Sequence, residues 1–419
     1  MNVAILTLGT RGDVQPFVAL GAELKEAGHE VTIVTGKGFG AMVSGRGLRY
    51  AALDVDLLDL AQSPEGRTAL RSPRGALRMA RGLMPTVRKM LVDEWEAAAS
   101  SGADAVVYHP KAMGGHHVAE ALGVPGFLAL PVPALSPTRT FPVPVLPLPD
   151  LGGPLNKLSY VAFFRSITLP YRRMVNCWRK ETLGLPALPL SASELELRGE
   201  PLVRLYPCSP RVVPVPADWD ESSAMTGYWF LDAGSDWRPP DELAAFLEDG
   251  PPPVYVGFGL AAPDPEGSRA AALAALRRLR LRGVLATGRH GMAAPGAIEI
   301  EDAPHDQLFP RMAAVVHHGG AGTTAEGLRA GRPTAVFPSN FGDQLFWGRR
   351  VHALGAGPEP VPQKRLTAEG LVASIRAITD DEGMRRRAAA LGEKIRAEDG
   401  VARAVEIVAG RTSQESSGP

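Results

Sequence analysis

The densest chemistry in the chain lies in His317-His318-Gly319-Gly320-Ala321-Gly322-Thr323-Thr324-Ala325-Glu326-Gly327. This stretch follows the apolar run Ala314 to His317, which reads as a strand, and it opens a helix. Glycines leave room for an anion to approach the backbone. The free N–H groups and dipole of a helix start attract it, and Thr hydroxyls and a His ring add donors. Together these suit a diphosphate. A Walker-type loop is excluded because no Lys follows the glycines. Zinc does not fit either, since His317 and His318 are adjacent and point to opposite faces of a strand.

Two further stretches hold polar groups at the end of an apolar run. Gly9-Thr10-Arg11-Gly12-Asp13 follows Val3 to Leu8, and Asp13 precedes a helix whose Phe17, Leu20, Gly21 and Leu24 share a face. Asp13 can cap that helix, with Pro16 in its first turn and Gly28 at its end. A nicotinamide or flavin cofactor is rejected: the glycines lack GxGxxG spacing, and the second strand, Val31 to Thr35, ends in Thr35-Gly36 without an acidic residue. Arg11-Gly12-Asp13 as an adhesion signal is chance. In Phe337-Pro338-Ser339-Asn340-Phe341-Gly342-Asp343-Gln344, a carboxylate that accepts and an amide that also donates suit adjacent sugar hydroxyls. Alone, Asp343-Gln344 is an ordinary helix start, and its meaning comes from its company.

These loops need strands and helices to hold them. Strand and helix alternate again at Ala105 to Tyr108, then His109-Pro110, a helix over Gly115 to Leu122, the stop Gly123 and a strand through Phe127 to Leu130. Such alternation predicts a parallel sheet covered on both faces. Leu57 to Ala99 is helical and amphipathic, and the Pro-rich segment Pro131 to Pro154 is an extended loop. A second series follows the Pro-rich stretch Pro207 to Pro253. Strands fit Val254 to Phe258, Val284 to Thr287, Ile298 to Ile300, Ala314 to His317 and Thr334 to Phe337, with a helix over Gly267 to Leu281. The expected division is an N-terminal domain over 1–215, a C-terminal domain over 216–385, a helix over 386–410 packing back on the first domain, and a disordered tail at 411–419.

Composition limits the function. The 419 residues hold 45 basic and 45 acidic side chains, so bulk charge favours neither nucleic acid nor an anionic membrane. Cys177 and Cys208 form no CxxC, so neither a disulfide framework nor a zinc site is expected. No run reaches the roughly 18 apolar residues of a membrane span, and Met1 to Leu8 has no basic leader. A cytoplasmic protein without stable membrane insertion is the expectation.

The three polar stretches together resemble the family 1 glycosyltransferases. Thr226-Gly-Tyr-Trp-Phe-Leu-Asp232, Val254-Tyr-Val-Gly-Phe-Gly259 and Gly342-Asp-Gln-Leu-Phe-Trp-Gly-Arg-Arg-Val351 look most like the sterol glucosyltransferase-like branch, which includes bacterial natural-product enzymes. The resemblance covers nearly the whole chain. It implies the α/β GT-B fold, two Rossmann-like doubly wound domains facing a cleft, with a nucleotide sugar as donor and no cofactor or metal required.

Carried onto this sequence, the resemblance puts His318, Gly320, Gly322 and Thr323 on the donor diphosphate, Glu326 on the ribose, Ala303 at the nucleobase, and Asp343 and Gln344 on the sugar. Asp13 falls where plant relatives have a catalytic His and bacterial natural-product enzymes an Asp. His109 falls near the Asp that partners the plant His. Three features depart from the pattern. Leu260 replaces an expected Ser, Asp302 stands where plant relatives stack a Trp on uracil, and the membrane-targeting domains of fungal sterol enzymes are absent.

The resulting expectation is an inverting, metal-independent transferase that moves a hexose, glucose from UDP-glucose, to a hydroxyl of an apolar sterol or polyketide. Either Asp13 or His109 is the base. The acceptor would meet Thr10, Phe141, Tyr160 and Phe163, and an apolar wall that includes Leu128, Leu130, Val132, Leu135 and Val145. The alternatives are a nucleotide-sugar 2-epimerase of the same fold and a non-catalytic aglycone-binding relative. Sequence leaves the oligomeric state open.

Overall fold

The structure is a computed structural model. It describes residues 1–54, 73–189, 193, 195–234, 237–259, 264–339 and 342–416, with side chains described outside 73–80 and 414–416. Leu260, Asn340, Phe341 and the first part of the helix expected from Leu57 lie outside the described residues.

The first sheet contains β1 (Asn2–Leu6), β2 (Glu30–Gly36), β3 (Arg49–Leu53), β4 (Ala105–Tyr108) and β5 (Gly126–Ala129). A two-strand hairpin, β6 (Glu196–Leu197) and β7 (Glu200–Pro201), stands apart and precedes β8 (Val203–Tyr206) and β9 (Ser223–Met225). The sheet order is β3-β2-β1-β4-β5-β8-β9, and its strands run parallel. The second sheet contains β10 (Val254–Gly257), β11 (Gly283–Ala286), β12 (Gly291–Ala294), β13 (Ala297–Ile300), β14 (Ala314–His317) and β15 (Thr334–Val336). Its order is β12-β13-β11-β10-β14-β15, with only β12 antiparallel. Strand order reverses beside β1 in one sheet and beside β10 in the other. At such a reversal the connections leave in opposite directions and open a crevice at the strands' carboxyl ends.

Apolar runs such as Val3–Leu6 and Ala314–Val316 form these strands because helices bury both of their faces. Helix α1 (Arg11–Glu26) turns Val14, Phe17, Leu20 and Leu24 into the core behind β1. It starts earlier than expected: Thr10 is the N-cap, Asp13 is the third helical residue, and Pro16 falls in the second turn. Two long helices flank the first sheet, α2 (Pro73–Ser100) and α3 (Gly115–Leu122), the latter ended by left-handed Gly123. After the extended Pro-rich segment come α4 (Gly153–Thr168) and α5 (Arg172–Glu181).

Strand β9 extends the first sheet to Met225, past the boundary expected at 215, because its backbone finds a parallel partner in β8. The Pro-rich stretch Pro207 to Pro253 therefore holds a strand, and also a helix, α6 (Asp241–Glu248). In the second half, α7 (Pro265–Leu279), α8 (Ala321–Arg329), α9 (Gln344–Ala353), α10 (Ala368–Asp380) and α11 (Glu382–Arg396) follow. The last helix, α12 (Gly400–Ser416), returns to the first half and buries Ala404, Val405 and Val408 with α1. The expected disorder from 411 is corrected: α12 runs to Ser416, with Thr412 buried and its hydroxyl donating to the Val408 carbonyl at 2.7 Å. Gly400 permits the return crossing, since a Cβ there would lie 2.4 Å from the Gly227 carbonyl carbon.

One buried carboxyl braces the start of α3. Glu94 of α2 is fully buried, and its Oε2 accepts the Gly114 N–H at 2.7 Å, while Oε1 has no partner. Burial pushes its pKa from 4.5 to about 8, so the folded chain holds a proton there that the unfolded chain has released. Stability is then greatest below pH 4.5 as far as this group is concerned, and falls by about 1.4 kcal/mol per pH unit up to about 8. Glu94→Gln can still accept from Gly114 without this charging cost. Thermal unfolding should show the variant more stable than the parent at pH 8 and close to it at pH 5.

Candidate functional site

Both reversal points carry polar loops. Beside β1, the loops after β1 and β4 meet, because Leu6 pairs with Tyr108 and the His109 N–H donates to the Leu6 carbonyl at 2.9 Å. Asp13 turns back on its own helix start: Oδ2 accepts the Thr10 N–H at 2.7 Å and the Thr10 hydroxyl at 3.0 Å. The same oxygen takes the Lys111 ammonium at 2.7 Å, and Oδ1 lies 3.5 Å from His109 Nε2. Gly9 is needed here, with φ +131 and a would-be Cβ 2.3 Å from Asp13 Oδ2.

Burial opposes ionisation of Asp13, but the Lys111 ammonium and the Thr10 N–H overcome it and hold the carboxyl below the usual range. His109 is buried, which pushes its pKa down to about 4 despite Asp13. Its Nδ1 accepts the Lys111 N–H at 3.1 Å. A neutral His109 therefore carries its proton on Nε2, which lies 3.5 Å from Asp13 Oδ1 and makes no hydrogen bond among the described residues.

At the second reversal, Gly257 pairs with His317, which places the loop after β14 over the sheet edge. The two histidines separate as expected. His317 is fully buried and its Nδ1 accepts the Gly319 N–H at 2.9 Å, so it braces the turn. His318 is half-buried and projects Nε2 over Gly320, the N-cap of α8, where a Cβ would sit 2.8 Å away. Burial lowers the His318 pKa, partly offset by the Gly257 carbonyl. Thr324 is spent on the backbone, its hydroxyl donating to the Gly320 carbonyl at 2.9 Å. Thr323 remains beside Gly322 on the cavity wall.

A cavity of about 400 Å³ lies under this helix start, lined from both halves of the chain. Gly322, Thr323, Glu326, Ala303 and His305 line one side, and Arg11 and Gln15 of α1 the other. The segment between the domains closes its back. There Asp232 takes both guanidinium arms of Arg329, at 2.5 and 3.0 Å, and Arg329 lies 4.3 Å over the Phe230 ring. Glu326 lies 3.7 Å from Arg329, yet burial, with Asp306 and Asp232 nearby, raises its pKa to about 7. Asp302, at the position where plant relatives place a Trp, is exposed and pairs with Arg11 across the cleft at 2.5 Å.

Asp343 and Gln344 begin α9. One Asp343 oxygen accepts Trp347 Nε1–H at 2.5 Å, and burial raises its pKa. Asp13 and Lys111 both act on that pKa from the opposite wall, so the two loops face each other within electrostatic reach. The side-chain Oε1 of Gln344 accepts from the Ser339 N–H and hydroxyl at 2.7 and 2.8 Å, which leaves its NH₂ as donor. Phe141 of the Pro-rich loop meets Phe346 of α9 with ring centroids 5.6 Å apart.

Tyr160 does not join this wall. It is fully buried in the core, with its hydroxyl toward the Pro133 carbonyl, and it anchors α4 beneath the loop. Phe163 is half-buried and edge-on to Phe164 at 5.7 Å.

Lys111, Arg11 and the Asp232–Arg329 pair were not singled out in the sequence. Lys111 lies two residues after His109, and the β1–β4 pairing is what turns it toward Asp13. Among the described residues, one group has metal-type spacing, His116, His117 and Glu120, with ligand atoms within 4.8 Å. A cation already occupies it: Arg179 donates to both Glu120 oxygens, at 2.6 and 3.0 Å, and contacts His117 Nδ1 at 2.9 Å.

Residues 3–138 match the profile of the glycosyltransferase family 28 N-terminal domain, and residues 286–409 that of the erythromycin biosynthesis protein CIII-like C-terminal domain. A sterol 3-beta-glucosyltransferase of Arabidopsis thaliana is 37% identical over 423 residues, covering 97% of this chain and 67% of the relative. One from Yarrowia lipolytica is 36% identical over 429 residues, covering 97% of this chain but only 28% of the relative. Among solved structures, the glycotransferase of kitacinnamycin overlays with a TM-score of 0.73 at 19% identity, covering 98% of each chain. VinC in complex with dTDP gives 0.69 at 18%, covering 99% of this chain and 100% of the other. The likeness to these two establishes the fold, which is GT-B.

The glycine turn yields a direct test. At Gly319, φ is +95 and a Cβ would press within 2.7 Å of the Gln344 carbonyl oxygen, which cannot yield. At Gly320 the Cβ meets only the tip of an imidazole that can swing away. Gly319→Ala should destabilise by at least about 1–2 kcal/mol. Gly320→Ala should cost under about 1 kcal/mol. Thermal unfolding of the two variants measures both.

Proposed function

The chain belongs to the glycosyltransferases of the sterol 3-beta-glucosyltransferase type, and from that premise we propose that it transfers glucose from UDP-glucose, with inversion, to a hydroxyl of an apolar sterol or polyketide. One observation carries this reading. A carboxylate held ionised on one wall lies within electrostatic reach of Asp343 on the other, where the start of α9 packs against the glycine turn that carries the His318 imidazole and opens α8.

The leaving diphosphate gains negative charge as the glycosidic bond breaks. The N–H groups at the start of α8 and the Thr323 hydroxyl stabilise it there, and His318 joins them as the charge of the diphosphate draws a proton onto Nε2, without a metal. The nucleoside fills the cavity under the helix, with the base against Ala303 and the ribose hydroxyls donating to Glu326. On the sugar, Asp343 offers its second oxygen as an acceptor and Gln344 its NH₂ as a donor. The acceptor enters past Thr10, the Pro-rich loop and Phe141.

Asp13 is the base and His109 its positioning partner. With Nδ1 occupied and the proton on Nε2, His109 has no lone pair to offer an alcohol. It supports one carboxylate oxygen while Lys111 keeps the group ionised. The acceptor proton passes to Asp13 as the alcohol oxygen attacks the anomeric carbon.

Two measurements test this assignment. Asp13→Asn should lose at least about 10²-fold in kcat, and His109→Ala much less. Asp13 is depressed below 3.8, so it stays ionised down to that pH, and activity should fall only as pH drops below it. Lys111→Met should shift that acid limb upward. A larger loss in His109→Ala than in Asp13→Asn would overturn the assignment.

Donor choice is a separate test. A dTDP sugar lacks one ribose hydroxyl, which leaves one bond to Glu326 unmade, worth about 1.5–3 kcal/mol or roughly ten- to hundred-fold in kcat/KM. Glu326 loses its proton near pH 7, so the preference for UDP-glucose should be larger at pH 8 than at pH 6. Equal kcat/KM for the two donors would reject Glu326 as the ribose partner.

A further inference from the structure

Helix α4 is packed the wrong way round for a soluble surface. Its inward side is Asn156, Ser159 and Tyr160, all buried. Asn156 donates to the Arg139 carbonyl and Asp150, and the Ser159 hydroxyl accepts the Val143 N–H at 2.8 Å, so polar bonds tie α4 to the Pro-rich loop. The outward side is apolar. Leu151, Leu155, Leu158 and Ala162 repeat at intervals of three or four residues, Leu169 continues the row, and Val161 and Ile167 flank it. Leu155 is 56% exposed, Leu158 57% and Leu169 61%. Seven of the nine large apolar side chains exposed among the described residues fall between 146 and 169. Scattered exposed leucines are ordinary, whereas a cluster on one helix marks a contact surface.

Charge identifies the partner. Lys157 and Arg165 of α4 and Arg173 at the start of α5 are exposed, and none forms an ion pair among the described residues. The nearby acids are already engaged. Asp150 accepts from Gly152 and Asn156, and Asp218 from Thr138 and Arg139. Leucines bordered by exposed cations, of which Lys157 also acts on Asp218 at longer range, match a bilayer surface, where apolar side chains enter the acyl boundary and ammonium and guanidinium groups meet lipid phosphates.

We propose that the outer face of α4, with Leu151, Leu155, Leu158 and Leu169 at its centre and Lys157, Arg165 and Arg173 around it, docks the protein reversibly on anionic lipid membranes. The same helix supports the Pro-rich loop whose Phe141 reaches Phe346, so a docked molecule holds the cleft entrance near the bilayer. Delivery of an apolar acceptor from lipid to cleft rests on the proposed function; the docking does not.

Vesicle sedimentation tests the docking without donor or acceptor, so its outcome is independent of the transferase reading. The full chain should pellet with phosphatidylcholine vesicles containing a quarter phosphatidylglycerol. Binding should fall at least about tenfold with phosphatidylcholine alone or in 0.5 M salt. The double variant Leu155→Asp/Leu158→Asp should lose at least about tenfold. Lys157→Glu/Arg165→Glu, which leaves the leucines in place, should lose the dependence on anionic lipid. Parent protein that stays in the supernatant would overturn the proposal. So would a parent dimer in sedimentation velocity that the leucine variant dissolves, since a second copy would then cover the face.

Discussion

A parallel sheet buried on both faces admits few polar side chains along its strands, and those only with a partner, as Arg204 has in Asp220 and Glu299 in Arg269; the rest of this molecule follows from that constraint. Chemistry can collect only where strands end, and it collects best where strand order reverses. The chain has two such points, beside β1 and beside β10. The first gathers Thr10, Asp13, His109 and Lys111, and the second gathers His318, Gly320 and the start of α8. A cleft between two crevices is the geometry a two-substrate transfer requires, with one substrate held on each side.

The two walls are tuned in opposite directions. On the first, Lys111 and the Thr10 N–H outweigh desolvation and keep Asp13 charged. On the second, burial dominates and leaves His318 neutral and Glu326 near pKa 7. With the Arg329 guanidinium engaged by Asp232, the start of α8 offers backbone N–H groups to an anion without a competing free cation beside them among the described residues. Arg11 and Asp13 share the first turn of α1, so the Arg11–Asp302 pair ties the helix start that carries the carboxylate to the opposite wall of the cavity. The pair is exposed and contributes little stability, and its role is geometric.

The two passages between the halves touch backbone to backbone at Gly227 and Gly400. Helix α12 then fixes itself to α1 through apolar contact, so the first half holds both ends of the second. The polar bonds of Asn156 and Ser159 fix α4 to the Pro-rich loop, and Phe141 of that loop reaches Phe346 of α9, so the loop ties the two halves together on a further side.

Local sequence determined a large part of this. Apolar runs ending in Gly or His marked strands, Gly28 and Gly123 marked helix ends, and the His318 to Glu326 run marked a glycine turn opening a helix, because each signal depends on neighbours in the chain. Contacts between distant residues left no such trace. Nothing near Lys111 in sequence announces Asp13, 98 residues away, and only the β1–β4 register brings them to 2.7 Å. The same pairing places the Lys111 N–H on His109 Nδ1, which decides the tautomer and with it which of two candidate bases retains a free lone pair. Tyr160 shows the converse: an aromatic in an apolar segment suits a binding wall as well as a core, and only packing sends it inward. Sequence determined the elements and the residue types at their ends; tertiary structure decided which ends meet, because strand order is a property of the whole sheet.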